Sequence, residues 1–387
     1  MSTPRIDIRG ILHSDDLPGV VAGVTTSAAT IGLEATGPRL VGESETLAAD
    51  AVLALFSTTK PLTSTLALQL VDDGVLDLDA PAAEYEPRLG GIGVLDGVDD
   101  DGTVRLHEPS SPVTLRRLLT HTAGFGYDFF DADLAAVVRA RSLPDIATAT
   151  LESLQTPLLF DPGTRWEYGM NIDWAGLVIE AVTGRRLGAV MRERLFEPLG
   201  MHDTTFARDE RLLDRAATLH ARTPDGALKA LRAPSRPDTP ELDMGGQGAY
   251  STAADYLRFL RMWLNDGRTD SGEQVLSAQM VAEATRDQLG DLQVTALPGV
   301  NPRLTNPVEF FPGHRKGWGL IAMTNADDAP TGRRAGSLGW AGLANLYFWL
   351  DRTSGVAGFW ATQLFPFADH TAMTAALDFE AAVYRAR

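Results

Sequence analysis

The sequence predicts an α+β fold: an antiparallel sheet, assembled from both ends of the chain and flanked by helices, carries an inserted and mostly helical lobe. Strand-like, hairpin-spaced patterns gather at residues 18–37 and again at 343–365. Between them the periodicity is mostly helical, with little that reads as strand before about residue 218. Strand–helix alternation and a Gly-x-Gly-x-x-Gly fingerprint, the marks of doubly wound folds, do not occur in the sequence. The expected division is residues 1–78 with 245–387 as the sheet-bearing lobe and 79–244 as the helical lobe, with a site in the cleft between them.

Element by element, "PGVVAGVTTSAATIGLEATG" reads as a hairpin, with β-branched residues near both ends and small polar residues between. In "ALFSTTKPLTSTLALQLVDDG" the period changes, because Leu62, Leu66 and Leu70 recur at helical spacing and Ala67, Leu68 and Val71 widen the stripe almost all round. So apolar a helix belongs in the middle of the molecule, with Gly74 as its stop. Pro, Gly and Asp are dense from Ala80 to Ser111, which predicts an irregular excursion with one hairpin. "TLRRLLTHTAG", "DLAAVVRARS" and "IATATLESLQ" read as helices, and "NIDWAGLVIEAVTGRRLGAVMRERLFEPLG" as two helices split at Gly184. "STAADYLRFLRMWLNDG" is an amphipathic helix capped by Ser251 or Thr252. "LANLYFWLD", "RTSG" and "VAGFWATQLF" form a second hairpin, and "TAALDFEAAVYRAR" a terminal helix.

The chain has 387 residues and no cysteine, which excludes disulfides, a thiol nucleophile and thiolate metal sites. A formal charge of −17 opposes approach to nucleic acid or anionic lipid and favours neutral or cationic small molecules. The opening "MSTPRIDIRG" carries no secretory pattern, and no run of 18 apolar residues occurs. The expectation is a cytoplasmic protein without a membrane segment; the sequence sets no oligomeric state.

Chemistry begins at "FSTTKP". With 16 serines and three lysines in the chain, Ser57 and Lys60 are its single Ser-x-x-Lys pair. At the start of a buried helix, Ser57 lies by unsatisfied N–H groups that favour negative charge, and Lys60, one turn on, can reach its oxygen. A desolvated ammonium loses its proton readily and can act as base. A serine cap beside a snorkelling lysine gives the same pattern, and the local sequence leaves both readings open.

The blocks "LFSTTKPLTSTLALQLVDDGVLDLDAPAAEYEP", "LRRLLTHTAGFGY", "LLFDPGTRWEYGMNIDWAGLVIEAVTGRRLGAVMRERLFEPLGMHDTTF", "GGQGAYSTAADYLRFLRMWLNDG" and "GSLGWAGLANLYFWLDRTSGVAGFWATQLF" together resemble the serine β-lactamase-like hydrolases. The nearest branch is the carboxylesterases related to class C β-lactamases and penicillin-binding proteins. The resemblance implies a β-lactamase/transpeptidase-like fold, Ser57 as acylated nucleophile and Lys60 as its activating partner. It places Tyr168, of "WEYGMN", over the nucleophile. The family's Tyr-x-Asn is broken, since Met170 stands two residues on and Asn171 three. Its Lys-Thr-Gly on an edge strand is replaced by "GWAGL", with Trp340 in the lysine's place, then Ala341 and Gly342. By the same resemblance the backbone N–H groups of Ser57 and Leu343 form the oxyanion hole, and Gly342 lets the acyl group lie against the strand. Without the carboxylate-binding lysine, neutral esters are favoured over β-lactams.

On residues alone, a tyrosine beside Trp166 is more often packing, although "FDPGTRWEYG" is the turn-rich kind of loop that lines pockets. Tyr127 and Trp340 are candidate pocket aromatics, and the loop-like 289–315 segment is expected to shape the cleft entrance. The seven histidines show no zinc spacing, His121 reads as a helix-end hydrogen-bonder, and no Gly-x-Ser-x-Gly elbow occurs. No metal or cofactor is implied. The leading expectation is a serine carboxylesterase acting on small neutral, short-chain esters through an acyl-enzyme. A β-lactamase, D-amino peptidase or other amide hydrolase, or an acyltransferase on the same scaffold is the alternative, and a non-catalytic binding protein is the reading from a different class.

Overall fold

The computed structural model describes residues 6–231, 237 and 239–387. Its centre is a seven-stranded antiparallel sheet. The strands are β1 (Val20–Thr26), β2 (Thr30–Thr36), β3 (Lys316–Trp318), β4 (Met323–Asn325), β5 (Leu338–Gly342), β6 (Leu346–Asp351) and β7 (Val356–Ala361). They lie in the order β2-β1-β7-β6-β5-β4-β3, so the N-terminal hairpin joins the C-terminal strands through β1 and β7, in the register Val21↔Ala361 to Thr26↔Val356. The sheet is built from both ends of the chain, as the sequence predicts.

Both faces of the sheet are covered, which is why β1 is buried almost throughout rather than alternating. Val20, Ala22 and Val24 pack with Ala372, Phe379 and Val383 of the C-terminal helix His370–Arg385. Val21 faces the other way, into the main core, with Leu62 and Leu66. Those leucines belong to α1 (Lys60–Asp72), which is buried on every side from Lys60 to Leu70. Truncating either to alanine would cost about 2–5 kcal/mol. α2 (Asn171–Thr183) packs against α1, and α3 (Ala253–Leu264), capped by the Thr252 hydroxyl, lies across β1 and β7.

Two local differences from the sequence reading have clear causes. Residues 146–155 form no continuous helix, only single turns at Ile146–Thr148 and Glu152–Leu154. Thr148 Oγ1 bonds the Asp145 carbonyl and Ser153 Oγ the Thr150 carbonyl, so hydroxyls compete with the helical ladder, and Ala149 is left-handed at φ 53°. Nor does α1 begin at Ser57: a 3-10 turn, Phe56–Thr59, precedes it.

A short ladder positions the site. Leu53 and Ala54 pair with Ser251 and Tyr250, laying the glycine-rich run 245–248 alongside the mouth of α1. Leu55 N donates to Ala249 O at 3.0 Å and Ala249 N to Thr59 Oγ1 at 3.2 Å.

Candidate active site

Ser57 sits in the 3-10 turn directly after Phe56, whose φ of 46° is unusual for a bulky residue and turns the chain sharply from strand to helix. Ser57 is the partly exposed member of an otherwise buried stretch. Lys60 is only 1% exposed, which removes the reading of a snorkelling surface lysine. As an ammonium its Nζ donates to Ser57 Oγ at 3.2 Å, to Tyr127 Oη at 3.0 Å and to the Gly246 carbonyl at 2.9 Å, and on losing one proton it can instead accept from the Ser57 hydroxyl. The rings of Tyr168 and Tyr127 lie 4.7 and 5.1 Å from the same nitrogen. Burial lowers the Lys60 amine to about 7, against the opposing charge of Asp173. Near neutrality a large fraction of this lysine is therefore an unprotonated base held against a serine.

Tyr168 is buried on the loop entering α2, its ring 4.7 Å from that of Trp340 and 4.8 Å from that of His121. Burial pushes its phenol above the ordinary tyrosine value, while the Ser57 and Trp340 side chains pull the other way. The phenol thus rests protonated, as a donor. His121 is buried and held neutral by desolvation. Its Nδ1 accepts from Asn171 Nδ2 at 3.0 Å and from Gly169 N at 3.4 Å, so it ties down the start of α2. Asn171 also donates to the Phe125 carbonyl at 2.9 Å, and its amide is committed to this loop rather than to the cleft. Met170 is buried.

Trp340, Ala341, Gly342 and Leu343 line one cleft with Ser57, Tyr127 and Tyr168. The sequence reading treats this strand as an edge; β5 instead lies between β6 and β4. β4, however, pairs only as far as Gly339, so beyond it only β6 pairs with Trp340–Gly342 among the described residues. Gly342 has a packing reason of its own: a Cβ there would lie 2.6 Å from the Leu55 carbonyl oxygen. Phe129, Phe130, Leu297 and Phe367 close the cleft to a volume of about 20 Å³. Leu297 belongs to the 289–315 segment, tied to the aromatic loop by Val300 N donating to Phe129 O at 3.0 Å. Phe56, Phe129, Gln247 and Leu343 are shared with an adjoining, mostly apolar chamber of about 570 Å³. Among the described residues, no group of three or more His, Asp or Glu could hold a metal ion, and no helix is long and apolar enough to cross a membrane.

A family profile described as Beta-lactamase matches residues 7–383. The chain belongs to the beta-lactamase family. Monacolin J acid methylbutanoyltransferase from Aspergillus terreus is 31% identical over 388 residues, covering 97% of this chain and 94% of the relative. Lovastatin esterase from Penicillium rubens is 33% identical over 349 residues, covering 85% of this chain and 84% of the relative. Unliganded simvastatin synthase from Aspergillus terreus superposes with a TM-score of 0.81 at 28% identity, over 97% of this chain and 95% of that one. Within the beta-lactamase family the chain is thus a serine enzyme of the acyltransferase–esterase group, working through an acyl-enzyme on small esters.

The structure brings Ser57, Tyr127, Tyr168, Trp340, Ala341, Gly342 and Leu343 to one cleft, with Lys60 buried beneath it against Ser57 and Tyr127. It also adds two groups that sequence reasoning missed, the Gly246 carbonyl and Asp173. The available signal for Asp173 was a carboxylate inside the apolar run "NIDWAGLVI".

Proposed function

We propose that this protein is a serine acyltransferase that moves a short acyl group onto a hydroxyl of a bulky, apolar alcohol. The observation that carries the reading is the pairing of a nearly closed aromatic cleft at Ser57 with the 570 Å³ apolar chamber that shares its walls. A chamber of that size is in the range of sites for drug-sized molecules. The beta-lactamase-family relative named as a methylbutanoyltransferase pairs a short branched acyl group with a larger acceptor, which supports the same division of the site.

In this mechanism neutral Lys60 takes the Ser57 proton across their 3.2 Å contact as Oγ attacks the donor's carbonyl carbon. The tetrahedral oxyanion lies between the Ser57 and Leu343 N–H groups. Tyr168, protonated at rest, gives its proton to the departing alkoxide or thiolate and is reprotonated from Lys60. The acceptor hydroxyl then enters from the apolar chamber, loses its proton to the same pair and attacks the acyl carbon, and Lys60 returns that proton to Ser57 Oγ as the bond between Oγ and the acyl carbon breaks. An apolar chamber that binds the acceptor holds it at the acyl carbon and excludes water, which favours transfer over hydrolysis.

A second reading is hydrolysis of such an ester, its alcohol part seated in the same chamber; the similarity to lovastatin esterase favours it. The sequence reading places hydrolysis first, and the similarity to several proteins named as acyltransferases supports placing transfer ahead of it. The deciding experiment supplies p-nitrophenyl butyrate with a panel of alicyclic alcohols and follows both products. Transfer predicts faster p-nitrophenol release and at least ten times more new ester than butyric acid at saturating alcohol. Butyric acid alone across the panel makes the enzyme an esterase. Full activity in Ser57→Ala sinks both readings.

A further inference from the structure

Asp173 is 2% exposed, on the first turn of α2, facing a part of the site that the reaction scheme above leaves unexplained. Its Oδ1 accepts from the backbone N–H of Gly246 at 2.8 Å, and the carbonyl of that same residue accepts from Lys60 Nζ at 2.9 Å. The strap is tight: a Cβ at Gly246 would lie 2.4 Å from Asp173 Oδ2. One residue earlier, Thr63 Oγ1 of α1 donates to the Gly245 carbonyl at 2.6 Å, so α1 holds both glycines while α2 holds Gly246. An asparagine could accept the Gly246 hydrogen bond equally well. A hydrogen bond alone therefore does not account for an ionisable group in so dry a place, where an uncompensated carboxylate is costly. The compensation is at hand, because the ammonium on the far side of the strap carries the opposite charge and feels Asp173. The other groups around that ammonium are Ser57, Tyr127, Tyr168 and the neutral His121, none of them an anion.

We propose that Asp173 is a positioning residue for Lys60: it clamps Gly246 so that the glycine carbonyl aims the amine at Ser57, and its buried negative charge is the amine's counter-ion. The inference rests on Lys60 acting as the base toward Ser57, as proposed above. It assigns Asp173 no contact with substrate.

The test uses the full-length enzyme and p-nitrophenol release from p-nitrophenyl butyrate between pH 5 and 9. Asp173→Asn keeps the shape and the acceptor but removes the charge. The neutral amine is the active form, so the rate rises with pH through the lysine's titration; without its counter-ion the lysine gives up its proton at lower pH. We expect the acid limb to move down by about one pH unit or more, as loss of an opposite charge dictates. Asp173→Ser, which also releases the strap, should show the same displacement with a plateau lowered ~10-fold or more, and it supplies the same readout if Asp173→Asn does not fold. An unmoved limb in the folded variant, with or without a uniform loss of rate, assigns Asp173 to packing and overturns the proposal. Failure of the underlying reading looks different: Ser57→Ala would stay active, or the wild-type rate would show no acid limb near neutrality.

Discussion

Tyr127 Oη receives a 3.0 Å hydrogen bond from Lys60 Nζ, although the two residues are 67 positions apart in the chain. Its ring stacks on Phe129 at 4.8 Å, so the phenol is a fixed partner of the amine as well as part of the cleft wall. Two tyrosines therefore flank one lysine, and their roles separate by experiment. Tyr127→Phe keeps the stacked ring and removes an acceptor from the ammonium. A hydrogen bond to a charged group is worth about 1.5–3 kcal/mol, or roughly one to two units of titration. We expect the acid limb of kcat/KM to move down accordingly.

Tyr168→Phe has a different signature. Its phenol rests protonated above the ordinary tyrosine range, and it is proposed to donate to the leaving group. We expect kcat to fall ~10²-fold or more, the usual worth of a general acid–base group, with the limb left in place and circular dichroism unchanged. Near-wild-type turnover would return Tyr168 to a packing role.

The limb itself has two candidate owners. Lys60 is lowered to about 7 by burial, and Glu167 is raised to about 7, also by burial, with Asp131 reinforcing and Arg165 opposing. Either group would give an acid limb as it loses its proton, but Lys60 touches Ser57, whereas Glu167 is only the chain neighbour of Tyr168. Glu167→Gln should leave a limb near pH 7 in kcat/KM. Disappearance of the limb in that variant would move the essential ionisation from the lysine to the glutamate.

What the sequence makes legible here is what short-range pattern carries. Leu62, Leu66 and Leu70 announce a buried helix because burial on all sides leaves no polar face, and Ser57 and Lys60 are one turn apart. Both hairpins are local. The roles of Tyr127 and Gly246 are not local: they meet Lys60 across 67 and 186 residues of chain, and Gly246 does so beside a two-residue ladder at Leu53–Ala54 that no periodicity reveals. "GGQG" shows glycine density but not that Gly246 is pressed against a carboxylate. Residues 146–155 mislead because threonine and serine hydroxyls bond nearby carbonyls, a choice that apolar periodicity does not encode. Gly342, assigned to substrate approach, is first of all a contact with the Leu55 carbonyl, since the turn bearing Ser57 rests on β5.

Burying Lys60 also leaves a mark on stability, with a definite sign. An unfolded lysine titrates at 10.5, whereas the folded one titrates at about 7. Between these values the unfolded chain binds a proton that the folded chain does not, so this group adds stability as pH rises from about 7 toward 10.5, with a slope of at most about 1.4 kcal/mol per unit. Below 7 both states are protonated and its full penalty applies. Lys60→Met removes the titrating group and keeps an apolar stem of similar length, at the expense of hydrogen bonds to Tyr127 and Gly246. Urea unfolding of both proteins from pH 6 to 10, taken as a difference, cancels the other ionisations. We expect the wild type to gain on Lys60→Met by about 1–3 kcal/mol across pH 7–9. A flat difference would mean that the amine keeps its proton throughout this range, and would withdraw Lys60 from the role of base.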